Sequence, residues 1–224
     1  VWRTVGRFSS LDTMEVKEVA GKTIVVARLF LKDVASYYTI TYTMDADGSL
    51  TVQNSFKAGN NPLAEMPRFG MLFSLKNDFD NFSYYGRGPW ENYQDRNTSS
   101  LKGIYQSKVA DQYVPYTRPQ ENGYKTDVRW LTLTNNSGNG IEIEGLQPLG
   151  VSALHNYPED FDPGLTKKYR HTNDITPRNE VVICVDLAQR GVGGDNSWGA
   201  MPHEQYQLKN KEYNYGFVIK PKKK

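Results

Sequence analysis

Alternation of apolar and polar residues with a period of two is the feature that most constrains this chain. It recurs in KTIVVARLFL (22–31), YYTITYTM (37–44), SLTVQNSF (49–56), VRWLTLTN (128–135), GIEIEG (140–145), EVVICVDL (180–187) and YNYGFVIK (213–220). Successive side chains of a strand point to opposite faces, so each run offers one apolar and one polar face. Sustained helical periodicity is absent. The segments DADG (45–48), KAGNNP (57–62), NNSGNG (135–140) and the glycine-rich 191–199 separate the runs, as turns between antiparallel neighbours do. The pattern predicts an all-β antiparallel sandwich of a dozen or more strands, with residues 1–224 forming a single domain.

A chain of 224 residues buries about 70–75% of its unfolded surface, so it needs no covalent staples. Its one cysteine, Cys184, lies in VVICVDL and reads as an inert buried thiol. Apolar area is concentrated in rings, with 15 tyrosines, nine phenylalanines and four tryptophans. Rings suit strands and sugar-stacking surfaces equally, and composition does not separate the two. No apolar run reaches the length of a membrane span. The net charge of +2 is more than supplied by Lys220, Lys222, Lys223 and Lys224, a lysine-rich tail that reads as a frayed terminus. Neither a membrane nor a nucleic acid is expected as partner. The opening VWRTVGRF has no start methionine and no apolar leader, as in a domain excised from a longer chain, and the compartment stays open between cytoplasm and periplasm.

Candidate chemistry is sparse. Glu142 and Glu144 share one strand face, which reads as a solvated surface, and Asp78 and Asp80 read the same way. Glu159, Asp160 and Asp162 lack the spacing of a calcium loop. His155, His171 and His203 are scattered, and no zinc, nucleophile-turn or phosphate-loop motif occurs. What remains are two long stretches, 84–124 and 153–178, and the segment GVGGDNSWGAMPHEQY (191–206). Long irregular loops in a compact domain are usually functional or interface-making. In YYGRGPWENYQDR, Gly86, Gly88 and Pro89 predict a turn, and Trp90 and Tyr93 flank Glu91 and Asn92. Asp95 and Arg96 suggest a closing charge pair. Glu91, Asn92 and Asp95 suit the capping of backbone donors, with ligand contact as the competing reading. Trp198, at the end of a glycine-rich loop, either plugs that loop or faces outward as a flat platform.

Taken together, GRGPWENYQDR (86–96), YTRPQENG (116–123), SALH (152–155), GVGGDNSW (191–198) and then His203, Glu204 and Tyr206 resemble the C-terminal "small chain" domain of glycoside hydrolase family 2 β-galactosidases. The order and spacing run through nearly the whole chain. The resemblance implies a large antiparallel supersandwich related to galactose mutarotases, placed after a catalytic TIM barrel. The implied partners are the rest of a β-galactosidase polypeptide, a galactoside such as lactose and further copies in a homo-oligomer. It also implies that the catalytic glutamates and the magnesium and sodium ligands lie in the barrel. This chain would then hold no catalytic residue, metal or cofactor, and would be inactive alone.

Within that family the tryptophan of the GVGG loop forms part of the substrate pocket, a role the resemblance gives to Trp198. Gly191, Gly193 and Gly194 would let the loop turn tightly against a neighbouring domain, and Asp195 and Ser197 would pin it by bonds to its own backbone. Glu91, Asn92, Asp95, Arg96, Glu121 and Asn122 would build the scaffold. Two other readings stay open. One is a free-standing aldose 1-epimerase, with His155 or His171 paired to a glutamate. The other is a carbohydrate-binding module without chemistry.

Overall fold

The computed structural model describes residues 1–60, 62–162, 164, 170–196 and 198–223. Eleven strands occupy most of them: β1 (Ser9–Val19), β2 (Lys22–Leu31), β3 (Ser36–Met44), β4 (Leu50–Lys57), β5 (Arg68–Lys76), β6 (Asn81–Gly88), β7 (Leu101–Lys108), β8 (Lys125–Thr134), β9 (Gly140–Leu154), β10 (Glu180–Gln189) and β11 (Tyr213–Lys222). Every pairing is antiparallel. The all-β antiparallel architecture is thus as the alternation predicted, with eleven strands among the described residues rather than a dozen or more. The only α-helix among them is one turn, α1 (Pro158–Phe161).

Strands follow the order β1-β2-β3-β4-β11-β9-β8-β6-β7, with β10 joined to β9 and β5 to β10. The 15-residue β9 is the pivot. Its first half, Gly140 to Gly145, pairs with β11, and its second half, Gly150 to Leu154, pairs with β10. Pro148 sits at the changeover, where its missing N–H leaves no gap in either ladder. Gln147 bridges the crossing: its amide donates to the Gly216 carbonyl and accepts from the Gly216 N–H, both at 3.1 Å.

The exchange of partners carries β10 and β5 over the face of β3, β4 and β11. Phe69 of β5 meets Tyr215 at 5.4 Å, Tyr213 at 5.7 Å, and Phe56 and Tyr38 at 6.0 Å between ring centroids. The buried Tyr215 hydroxyl donates to the Val185 carbonyl at 3.1 Å, meeting the need of a phenol removed from water. Ten of the aromatic rings among the described residues are buried, and Trp2, Tyr38, Tyr42, Phe73 and Tyr105 pack against the core.

Three expectations are corrected here. The stretch 84–124 is not one long loop, because β6 and β7 run through it. Gly86 and Gly88 belong to β6 rather than to a turn: they continue the buried face begun by Phe82 and Tyr84. A Cβ on Gly86 would lie 2.8 Å from the Val128 side chain, so glycine is what lets β8 approach. The basic tail is not frayed up to Lys222, since β11 continues through it. There Lys220 pairs with Glu144, and Lys222 approaches Glu142 at 3.9 Å. Those two glutamates are a cation-paired surface row. Cys184 is buried as expected, and burial pushes its thiol up to about 11.

Candidate functional site

The motif segments converge at the connections β6–β7, β7–β8 and β10–β11. Asn92, 1% exposed, is the centre of the first. Its Oδ1 accepts from the N–H and hydroxyl of Thr126 at 3.0 and 2.5 Å, and its Nδ2 donates to the carbonyls of Arg87 and Trp90 at 3.1 and 3.0 Å. Glu91 accepts the Gly123 N–H at 2.8 Å and the hydroxyl of Tyr116. Asn122 accepts the Val114 N–H at 3.1 Å and donates to the Gln120 carbonyl at 2.9 Å. Tyr93 and Tyr124 stack across the junction, 5.7 Å apart and 12° from parallel. Lys125 is buried with its ammonium donating to the Gly123 carbonyl at 3.1 Å. Burial draws that amine down to about 8, against the pull of Glu91.

Glu121 turns the other way and pairs with Arg68 beneath the loops. Burial holds its carboxyl above the usual range, against the lowering effect of Arg68. Within this cluster the side chains of Glu91, Asn92, Asn122 and Lys125 are committed to backbone groups or to one another, as buried polar groups usually are, while the buried Tyr124 hydroxyl meets no partner at full hydrogen-bond geometry.

Asp95 and Arg96 do not form the expected charge pair. Arg96 lies over the Tyr93 ring, 5.1 Å from its centroid, and 3.8 Å from Glu91. Asp95 reaches across the chain instead, and its Oδ2 accepts the Gly193 N–H at 2.9 Å. A Cβ on Gly191 would lie 2.8 Å from that same oxygen, and one on Gly194 would run into the Ala200 carbonyl. These glycines therefore serve close approach within this chain. The Gly191 N–H closes the base of the loop on the Tyr206 carbonyl at 2.8 Å.

One of the two expected pinning residues also differs from expectation. Asp195 meets His203 Nε2 at 2.8 Å rather than capping its own loop, and Ser197 lies outside the described residues. Asn196 does the capping: its Oδ1 accepts the Trp198 N–H at 2.8 Å. The pattern Asn-x-Trp carries that signal, because asparagine side chains commonly bind the backbone two residues on. Sequence reasoning passed over it. Trp198 itself is 93% exposed, so it does not plug the loop. Trp90, in the connection that supplies Asp95, is 76% exposed.

The arrangement thus presents an indole face on a loop fixed at its base. His155, the candidate acid or base of an epimerase, contacts the Glu180 carbonyl at 2.9 Å and lies 3.7 Å from Asp80 rather than from a glutamate carboxylate. Among the described residues no three His, Cys, Asp or Glu side chains are grouped to hold a metal ion.

The family model described as β-galactosidase small chain matches residues 1–219. This chain belongs to that family. The small chain is 36% identical over 221 residues to a β-galactosidase of Priestia megaterium, covering 98% of this chain and 21% of that protein. It is 32% identical over 227 residues to a β-galactosidase of Streptococcus thermophilus, with the same two coverages. It therefore spans about a fifth of the length of these relatives. Among solved structures it is similar to the GalM/aldose epimerase homologue from C. elegans, with a TM-score of 0.43 at 11% identity over 92% of this chain and 67% of that one.

Proposed function

We propose that this small chain walls the galactoside pocket of a β-galactosidase of glycoside hydrolase family 2, with Trp198 as its contact to the sugar. The observation that carries this reading is a tryptophan 93% exposed on a loop whose base is held by Asp95 and the Tyr206 carbonyl. Exposed indole on a fixed stalk is costly to keep in water unless something flat and partly apolar covers it. The C–H face of a pyranose fits that description. Covering the indole contributes on the order of 1–3 kcal/mol, the scale for burying a large apolar side chain.

Glycoside hydrolysis requires an acid and a second carboxylate flanking the scissile bond. Among the described residues the carboxylates nearest Trp198 in sequence, Asp195 and Glu204, are engaged by His203 and Lys209, so the chemistry is assigned to another part of the polypeptide, of TIM-barrel form, together with its magnesium and sodium. Lactose and related β-galactosides are the proposed substrates, and the complete enzyme is proposed to be a homo-oligomer.

The test is hydrolysis of a chromogenic β-galactoside by the chain alone and by the chain mixed with the separately expressed remainder of its polypeptide. Activity in the mixture alone is the expected result, with Trp198→Ala raising KM about tenfold and changing kcat by less than about threefold. Activity of the chain alone, or an unchanged KM in the variant, overturns the reading.

A further inference from the structure

A cavity of about 620 Å3 opens around β5, between the N-terminal segment and α1. No residue of the 191–199 loop is among those that line it. One side carries the half-buried rings of Trp2 and Tyr38, and the other carries Arg68, Glu121 and Asp186. A volume of this size, apolar walls and a few convergent polar groups are the usual make-up of a small-molecule site.

The polar side is a tight cluster. Arg68 Nε lies 3.1 Å from Asp186 Oδ2, Nη2 bonds Glu121 and reaches Gln189 at 3.3 Å, and Nη1 lies 3.2 Å from the Cys184 sulfur. Asp186 is 1% exposed, and although Arg68 and the Tyr124 hydroxyl lie beside it, neither of its carboxylate oxygens receives a hydrogen bond of good geometry. More than nine in ten buried polar groups find such a partner, so the cluster has accepting capacity to spare. Stability alone does not account for it, because a buried ion pair is often no better than apolar residues of the same volume.

We propose that this cavity binds a neutral hexopyranose, with its hydroxyls on the Arg68–Glu121–Asp186 cluster and its C–H face against Trp2 or Tyr38. Carboxylates that accept and a guanidinium that donates, fixed side by side, match the adjacent hydroxyls of a sugar. The sign of the charge selects against acidic sugars. The cavity is lined by four carboxyl groups, those of Glu121, Glu159, Asp162 and Asp186, against the two guanidiniums of Arg3 and Arg68. The proposal is independent of the role given to Trp198.

The test uses this chain carrying Trp198→Ala, so that the loop contributes nothing. D-galactose, D-glucose and D-galacturonate are titrated by saturation-transfer NMR. At least one of the two neutral hexoses saturates in the millimolar range, and galacturonate binds at least tenfold more weakly. Leu72, which also lines the cavity, is 42% exposed, so Leu72→Trp fills space there without disturbing the core. It weakens hexose binding tenfold or more, while circular dichroism and the melting temperature stay those of the parent. Glu121→Gln weakens it comparably. Failure of both hexoses to saturate, affinity unchanged by Leu72→Trp, or galacturonate binding as tightly overturns the proposal.

Discussion

Two loops meet at one end of this sandwich and hold their side chains in opposite ways. The connection around Glu91 and Asn92 turns its polar groups inward and commits them to backbone partners. The loop from Gly191 to Gly199 turns outward, and its largest side chain touches almost nothing. Asp95 joins them, rooted in the first and bonded to the second. The contrast teaches that a buried amide and an exposed indole serve different ends. The amide is worth energy to the fold, whereas the indole is worth energy only to whatever binds it.

Breaking the inward loop should cost most. Asn92→Ala removes four hydrogen bonds and leaves buried donors and acceptors without partners, so about 3 kcal/mol of unfolding free energy should be lost. A urea titration gives the value, and a loss under about 1 kcal/mol would mean that water replaces the amide. Lys125 sharpens the same point through pH. Its folded amine titrates near 8 and an unfolded one near 10.5, so between those values the unfolded chain binds more protons and stability rises with pH. The rise is on the order of 3 kcal/mol, and Lys125→Met should abolish that component. Parallel melts of parent and variant from pH 7 to pH 10.5 measure it as a difference, and parallel curves would refute it.

The link between the loops ranks next. Asp95→Ala frees the Gly193 N–H, costing about 1–2 kcal/mol locally, and should speed exchange of that amide about tenfold or more with little change in global stability. Unchanged exchange would show that the glycine loop holds itself. The outward loop should matter least to folding. Trp198→Ala and His203→Gln should each shift stability by less than about 0.5 kcal/mol, because both side chains lie mainly in water. A larger drop on thermal melting would place Trp198 in the fold rather than at its surface.

The seven alternating runs all became strands, β2, β3, β4, β8, β9, β10 and β11. The four strands that sequence reasoning missed have physical excuses. β1 carries Leu11, Met14, Val16 and Val19, all exposed, but a bulge between Leu11 and Thr13 breaks the period of two that would mark it out. β5 is RFGMLFSLK, and its Gly70 leaves room for the Asp186 side chain of β10. β6 buries glycines where the pattern expects apolar residues, and β7 is too polar to show a core face. The site was legible in part. Its motif segments were visible, as was the outward Trp198 among two alternatives, but the Asp95–Gly193 bond spans 98 positions and has no local signature.

Alternation and turn chemistry are local, and they acted residue by residue to determine that this chain is antiparallel β and where most of its strands lie. Partner choice is not local. That β9 pairs first with β11 and then with β10, that Asp95 holds a distant glycine loop, and that Arg68 meets Glu121 and Asp186 around a cavity were decided only when the layers packed. The physical reason is that side chains far apart in sequence compete for the same buried space and the same hydrogen-bond donors, and only the assembled fold settles which of them share it.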